Sequence, residues 1–359
     1  MQNLENKQTG DVLEQYCDLR SLSFDELTEY VLSLGEKKFR AQQLFDWIHN
    51  KMESDFNRMS NLPKSLLSKL ETASVIRSVT IEDCLISQID GTRKYLMRLC
   101  DDNIIECVLM RYEYGNSLCI SSQVGCRMGC RFCASTIDGL VRNLSAGEML
   151  GQVYTVSKDI GEKIGHIVIM GSGEPFDNFD QVTGFLQLIC HEKGQNLSGR
   201  NITVSTCGIV PKIKELADKK MQLTLAISLH ATTDDKRRSI MPIANKYSID
   251  EIVNACRYYF DKTGRRLTFE YSLIDGVNDT DEDARELIAI ASKVGAHVNL
   301  IPVNPIKERD YASTKKDRVA QFRNRLEKSG VNATVRREMG RDIQGACGQL
   351  RRSYLKGEK

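Results

Sequence analysis

The sequence predicts an α/β fold, a partial TIM-like (βα)6 barrel with a small N-terminal helical accessory domain and a short β extension. Three observations carry that prediction. Short β-rich runs alternate with helical runs from Asn116 onward, the segment before Val79 is spaced for helices, and strand-like alternation fills the stretch between. Six βα units are fewer than the eight that close a barrel, so the barrel is expected to be open on one side.

Residues 1–78 form the helical accessory domain. Ser23-x-x-Glu26 reads as a capping box, Leu44, Trp47 and Ile48 follow at helical spacing, and Pro63 sits where a further helix starts. Residues 79–112 form a β-hairpin linker, with Asp101-Asp102-Asn103 as the turn between Lys94–Leu99 and Ile104–Met110. The barrel spans 113–345. Its strands are expected at Leu118–Ser122, His166–Met170, Asn201–Ser205, Leu223–Leu229, Leu267–Leu273 and Val298–Ile301, with Asn332–Val335 as an extra strand. Ser145-x-x-Glu148, Ser248-x-x-Glu251 and Thr280-x-x-Asp283 open helices between them. Residues 346–359 are a C-terminal tail at Cys347.

Hydrophobic and charged fractions of 41% and 27% are those of a soluble globular chain, and no run approaches the ~20 apolar residues of a membrane span. The first twenty residues lack a secretory signal, which points to the cytoplasm. Twelve cysteines in a reducing compartment suggest metal, catalytic or buried-thiol roles rather than a disulfide framework. A net charge of +2 does not announce a nucleic-acid binder. Basic clusters occur at Lys37-Lys38-Phe39-Arg40, Lys236-Arg237-Arg238, Arg336-Arg337 and Arg351-Arg352, and each taken singly reads as a solvated helix face.

Cys126-Arg-Met-Gly-Cys130-Arg-Phe-Cys133 supplies three thiols directly after the first barrel strand, on the side where α/β barrels place their chemistry. Two metal readings are open. Three thiolates on a 4Fe-4S cluster leave one iron free for a substrate; with Cys119 as a fourth ligand the same loop is a structural zinc site. Gly125 and Gly129 would let the backbone wrap closely around a cluster.

C-x-x-x-C-x-x-C on a first barrel loop resembles the radical S-adenosylmethionine superfamily. That resemblance implies a 4Fe-4S cluster on Cys126, Cys130 and Cys133, whose free iron chelates the methionine moiety of S-adenosylmethionine. Further stretches resemble the superfamily in the same order along the chain. Met170–Pro175 is similar to the glycine-and-glutamate segment at the methionine amine, a position where a carboxylate suits an ammonium. The resemblance thus implies S-adenosylmethionine contacts from Gly173, Glu174, Ser205, Ser228, Leu229, His230 and Asn304. Ser172 departs from the pattern, which usually has methionine between the glycines.

Ser117–Gly125 and Arg341–Leu350, with its Ala-Cys347-Gly-Gln-Leu run, are similar to the RlmN/Cfr family of RNA adenine methyltransferases, over about Phe39 to Leu350. Carbon 2 of adenine lies between two ring nitrogens and is too electron-poor to attack a sulfonium methyl, whereas a cysteine thiolate can take that methyl. The family implies that Cys347 becomes an S-methylcysteine intermediate and that a second S-adenosylmethionine generates the radical that activates it. It also implies Glu106 as proton acceptor and Cys119 as the thiol that resolves the adduct through a transient disulfide with Cys347. On alternation alone Glu106 reads as a strand residue facing water, and Cys119 and Cys347 as buried thiols. Cys17, Cys84, Cys100, Cys107, Cys190, Cys207 and Cys256 are assigned to the buried core.

The implied substrates are the peptidyl-transferase-centre adenine of 23S rRNA and an adenine of tRNA, with the base extruded for reaction. An electron donor such as flavodoxin or ferredoxin and a monomeric state are expected, and Phe39–Ile48 resembles the family's RNA-holding helical domain. Pro175 and Trp47 favour carbon 2 over the Cfr-like carbon 8. The alternative from another class is a non-catalytic zinc- or Fe-S-bearing RNA-binding protein.

Overall fold

The computed structural model describes residues 16–306 and 308–343, together with residues 350, 351, 354 and 357; Cys347 lies outside the described residues. The N-terminal part comprises strand β1 (Cys17–Asp18), helices α1 (Phe24–Ser33), α2 (Phe39–Phe45) and α3 (Lys64–Ala73), and strand β2 (Ser74–Val75), which pairs in parallel with β1. Ser23 and Glu26 form the capping box of α1, and Pro63 stands immediately before α3. Helix α2 runs on into a wider π turn, Asp46–Asn50, which carries Trp47, Ile48 and His49.

Strands β3 (Val79–Ile86), β4 (Arg93–Leu99) and β5 (Ile104–Tyr112) form an antiparallel meander rather than one hairpin. Strand β6 (Gly115–Cys119) pairs antiparallel with β5 and parallel with β9 (His166–Ile169), so the extension and the barrel strands are one sheet. This explains why β6 starts earlier than the sequence suggests: Asn116 and Ser117 pair with Arg111 and Met110. After β6 comes a small hairpin, β7 (Gln123–Gly125) with β8 (Leu140–Asn143), and then α4 (Ala146–Ile160).

The βα succession continues as β9 (His166–Ile169), α5 (Phe179–Ile189), β10 (Ile202–Thr206), α6 (Val210–Asp218), β11 (Thr224–Ser228), α7 (Asp234–Ile240) and α8 (Ile249–Thr263). It ends with β12 (Leu267–Leu273), α9 (Asp281–Ser292), β13 (His297–Pro302), α10 (Lys316–Lys328) and β14 (Ala333–Val335). Spatial order in the ten-stranded sheet is β14-β13-β12-β11-β10-β9-β6-β5-β4-β3, and the strands from β6 to β14 are parallel. Ser145, Ser248 and Thr280 close the capping boxes that start α4, α8 and α9.

Register fixes which side chains share the inner face, because alternate residues of a strand point to opposite sides. Lys94, Val108, Cys119 and Val168 stand side by side across β4, β5, β6 and β9; Glu106 is two residues from Val108. Ser228, Glu270, Asn299 and Thr334 form a similar row across β11 to β14. Tyr95, on the opposite face of β4, instead bonds Asp159 of α4. One apolar cluster runs from Leu19 of the N-terminal part to Ala333 of the last strand. Among the described residues, no helix is long and apolar enough to cross a membrane.

Candidate active site

The three-cysteine loop leaves the sheet after β7 under tight backbone control. Gly125 takes φ +78°, and a side chain there would collide with the Gly139 carbonyl, which accepts the Cys126 N–H at 2.9 Å. The glycine is thus required by the β7–β8 hairpin itself, not only by room for a bound group. Thr136 Oγ1 donates to the carbonyls of Cys130 and Cys133, each at 2.9 Å. Arg127 clamps Asp177 through Nε at 2.9 Å, tying the loop to the Gly-Glu segment.

Cys126, Cys130 and Cys133 line one cavity of about 230 Å³, together with Gly173, Glu174, Ser205, Ser228 and His230. Burial pushes the Cys126 thiol up to about 12 and raises those of Cys130 and Cys133. Glu174 is buried and accepts hydrogen bonds from the N–H groups of Cys207 (2.7 Å) and Phe176 (3.0 Å). Burial raises its carboxyl against the pull of these bonds and of Thr206. Its own N–H donates to Gln123 Oε1, whose amide also holds Asp177. Ser172 lies outside the lining, buried, with its hydroxyl 3.5 Å from the Gly125 carbonyl.

His230 sits at φ +55°, and its Nδ1 accepts the Ser272 N–H at 2.9 Å. Burial and nearby Arg237 depress its pKa to about 3, so the ring is neutral and Nε2 carries the proton. Leu229 packs in the core outside the lining, its N–H donating to the Glu270 carbonyl and its own carbonyl accepting Arg237 Nε. Asn304 is exposed and outside the lining.

Glu106 and Cys119 are also outside the lining, one layer behind it: Met170 lines the cavity and packs in the same small cluster as Cys119, Val108 and Met110. Burial raises the Cys119 thiol, opposed by the positive charges of Arg336 and Lys94. Glu106 does not face water as alternation suggests; it is 2% exposed and pairs with Lys94 Nζ at 3.3 Å. The reason is that the inner face of β5 is covered, and Arg351 of the tail donates its backbone N–H to Glu106 Oε1 at 2.5 Å.

The comparisons with known proteins agree with this geometry. Residues 17–76 match the ribosomal RNA large subunit methyltransferase N-terminal domain, and residues 120–288 match the radical SAM superfamily. Two relatives bear the name "Probable dual-specificity RNA methyltransferase RlmN". That of Lachnospira eligens is 58% identical, covering 94% of this chain and 97% of its own; that of Clostridium perfringens strain 13 is 57% identical, covering 95% and 98%. The chain belongs to the RlmN family. A solved radical SAM methyltransferase from Sphaerobacter thermophilus is 42% identical, with a TM-score of 0.88, covering 93% of this chain and 98% of that one.

As an RlmN-family member the protein is a radical SAM RNA methyltransferase, and it takes a 4Fe-4S cluster and S-adenosylmethionine as cofactors. The residues present fit that cluster. Three thiols share one cavity with the polar groups of Glu174, Ser205, Ser228 and His230, whereas Cys119, the fourth ligand of the zinc reading, is packed on β6 in a separate cluster. Among the described residues, no three His, Cys, Asp or Glu side chains converge as a single metal ion requires.

Two further assignments from the sequence change in the RlmN-family site. Cys207 is not a plain core thiol: it lines the cavity and its backbone N–H fixes Glu174. Arg237 is not on a solvated face: it is fully buried, and its Nη2 donates to the carbonyls of Cys207 (2.6 Å) and Ser228 (3.3 Å), holding two strand ends together. Sequence reasoning missed Glu270 and Ser272 and read Arg336 only as part of a solvated basic cluster; all three line the cavity. Their signal was the strand register, which puts Glu270 beside Ser228.

Proposed function

We propose that this protein methylates carbon 2 of adenine in 23S rRNA and in tRNA, through an S-methylcysteine on Cys347. The observation that carries the reading is the meeting of the C-terminal tail with the inner face of the sheet. Arg351, four residues beyond Cys347, caps the Glu106 carboxylate, and Glu106 shares that face with Cys119. Cys126, Cys130 and Cys133 hold the cluster, which when bound supplies the electron that cleaves S-adenosylmethionine. Glu174 receives the methionine ammonium, while Gly173, Ser205, Ser228, Leu229, His230 and Asn304 bind the rest of that molecule. Neutral His230 offers its Nε2–H to the cavity as a fixed donor.

Cys347 takes a methyl group as a nucleophile, and its activated carbon is joined to carbon 2 of the base. Glu106 accepts the carbon-2 proton. Cys119 then forms a disulfide with Cys347, and methylated RNA leaves. The reading includes a cytoplasmic monomer reduced by a flavodoxin- or ferredoxin-type donor. Phe39 is exposed, with the Arg40 guanidinium 4.6 Å from its ring centre, a combination suited to stacking and phosphate contact with RNA.

The test is mass spectrometry of rRNA fragments after reaction with labelled methyl donor. Label at carbon 2 is expected; label at carbon 8 overturns the assignment. Cys119→Ala should accumulate a covalent enzyme–RNA adduct, and its absence removes the role given to that thiol.

A further inference from the structure

Lys94 is a buried cation on the inner face. Its side chain on β4 is fully buried, and its Nζ lies 3.3 Å from Glu106 Oε2 on β5. Two charges removed from water are costly unless they meet a partner. A buried carboxylate with no positive neighbour takes up a proton and is then useless as a base. Among the described residues, the other groups near Glu106 are the Cys119 thiol from β6 and Arg351 from the tail on the same face, and the adjacent Cys107 thiol on the opposite face of β5. Both thiols are pushed up by burial and are therefore neutral, and Arg351 presents a backbone N–H to Oε1 while its Nε is bonded to the Ile104 carbonyl at 2.7 Å. The ammonium of Lys94 is thus a full positive charge aimed at the second carboxylate oxygen.

We propose that Lys94 is a positioning residue for the proton acceptor: it keeps Glu106 ionised and its carboxylate oriented in the dry interior until the carbon-2 proton is removed. The inference rests on Glu106 being that acceptor. In the step, the carbon-2 to hydrogen bond breaks, the proton passes to a Glu106 oxygen, and the bonding pair stays with the ring. Glu106 goes from charged to neutral while Lys94 remains an ammonium; the unpaired electron of the adduct would be given up to the iron–sulfur centre, so no other side chain changes charge. The antiparallel extension gains a task from this. It brings a cation from β4 to the acceptor on β5, beside the first barrel strand.

The experiment uses the full-length, cluster-loaded enzyme with RNA carrying protium or deuterium at carbon 2, under single-turnover conditions across the pH range. Glu106→Gln is the reference. Lys94→Met is expected to move the acidic limb of the rate upward by about one to three pH units, the range for loss of an opposite charge at this distance. Its deuterium effect at neutral pH should grow and then fade as pH rises, whereas Lys94→Arg should restore the wild-type limb. Cys347 methylation, which does not use Glu106, reports whether each variant is folded. If Lys94→Met is not, Lys94→Gln, which keeps a donor to Glu106 without the charge, should show the same displaced limb. A Lys94 variant whose pH profile and isotope effect match wild type, even at a lower rate throughout, overturns the proposal. Wild-type product release by Glu106→Gln would instead overturn the underlying assignment of the acceptor.

Discussion

Gly125 and Glu174 set the geometry of the cluster loop one residue at a time. At φ +78° an L side chain is strained by about 1–2 kcal/mol, and at Gly125 it also meets the Gly139 carbonyl. Gly125→Ala should therefore lose bound iron and melt earlier. Gly129→Ala has the same backbone strain but meets only Pro242 at 3.4 Å, so its loss should be smaller; iron per chain and thermal melting read both. Glu174→Ala strands the buried N–H groups of Cys207 and Phe176, which costs about 1–3 kcal/mol each, so it should destabilise the protein even before S-adenosylmethionine is added. A variant as stable as wild type but unable to bind S-adenosylmethionine would reduce Glu174 to a ligand contact alone. That the three cysteines and Glu174 line one cavity was legible in advance, from the loop's place after a barrel strand and from the resemblance of Met170–Pro175 to a superfamily segment. Arg237 was not, because three adjacent basic residues read as a solvated patch. Only the inward turn of α7 after β11 shows that the middle one is buried under strand-end carbonyls.

At the scale of elements, the π turn after α2 carries a histidine into the interface with α4. His49 is fully buried, with Nδ1 3.0 Å from the Tyr154 hydroxyl, and burial with nearby Arg20 and His191 lowers its pKa to about 3. An unfolded histidine titrates at about 6.5, so between about pH 3 and 6.5 the unfolded chain binds the proton that the folded one refuses. Stability from His49 is complete above that window and is lost as pH falls through it, at up to roughly 1.4 kcal/mol per pH unit. His230 behaves in the same sense. His49→Phe should flatten the dependence of the urea midpoint on pH between 4 and 6 by about one proton's worth. An unchanged slope would show that His49 takes its proton while folded. Capping boxes made the starts of α1, α4, α8 and α9 readable in advance. The π turn was invisible, since Leu44, Trp47 and Ile48 satisfy helical spacing with or without it. The three-strand meander was read as a hairpin because β3, although long, alternates weakly, with its middle residues exposed or half-buried.

Across the whole molecule, the change of periodicity at Val79 marks where β3 begins but says nothing about how the two sides pack. The packing is close. Leu19, Leu27, Val31, Leu44, Phe45 and Ile48 are fully buried in the same cluster as the barrel core. Polar ties accompany them: the Gly147 N–H of α4 donates to Ser21 Oγ at 2.9 Å, Arg20 reaches the Arg77 carbonyl at 2.9 Å, and Gln195 reaches that of His49 at 2.6 Å. Gly147 and Gly151 make this approach possible, since a side chain at either would press on Asp18, Ser21 or Val79. Deleting these six uncovers the apolar barrel surface packed against them, and each buried Leu, Ile, Val or Phe that loses its cover forfeits up to about 1.5–3 kcal/mol against the ~5–15 kcal/mol by which a typical domain is folded. A chain beginning at residue 79 should therefore fail to give a cooperative thermal transition, and Gly151→Ala in the full chain should lower the melting temperature by several degrees. A truncated chain that melts cooperatively near the full-length temperature would mean that the barrel carries its own stability. The N-terminal helices would then act only on RNA, and Gly151→Ala should weaken RNA binding without moving the melt.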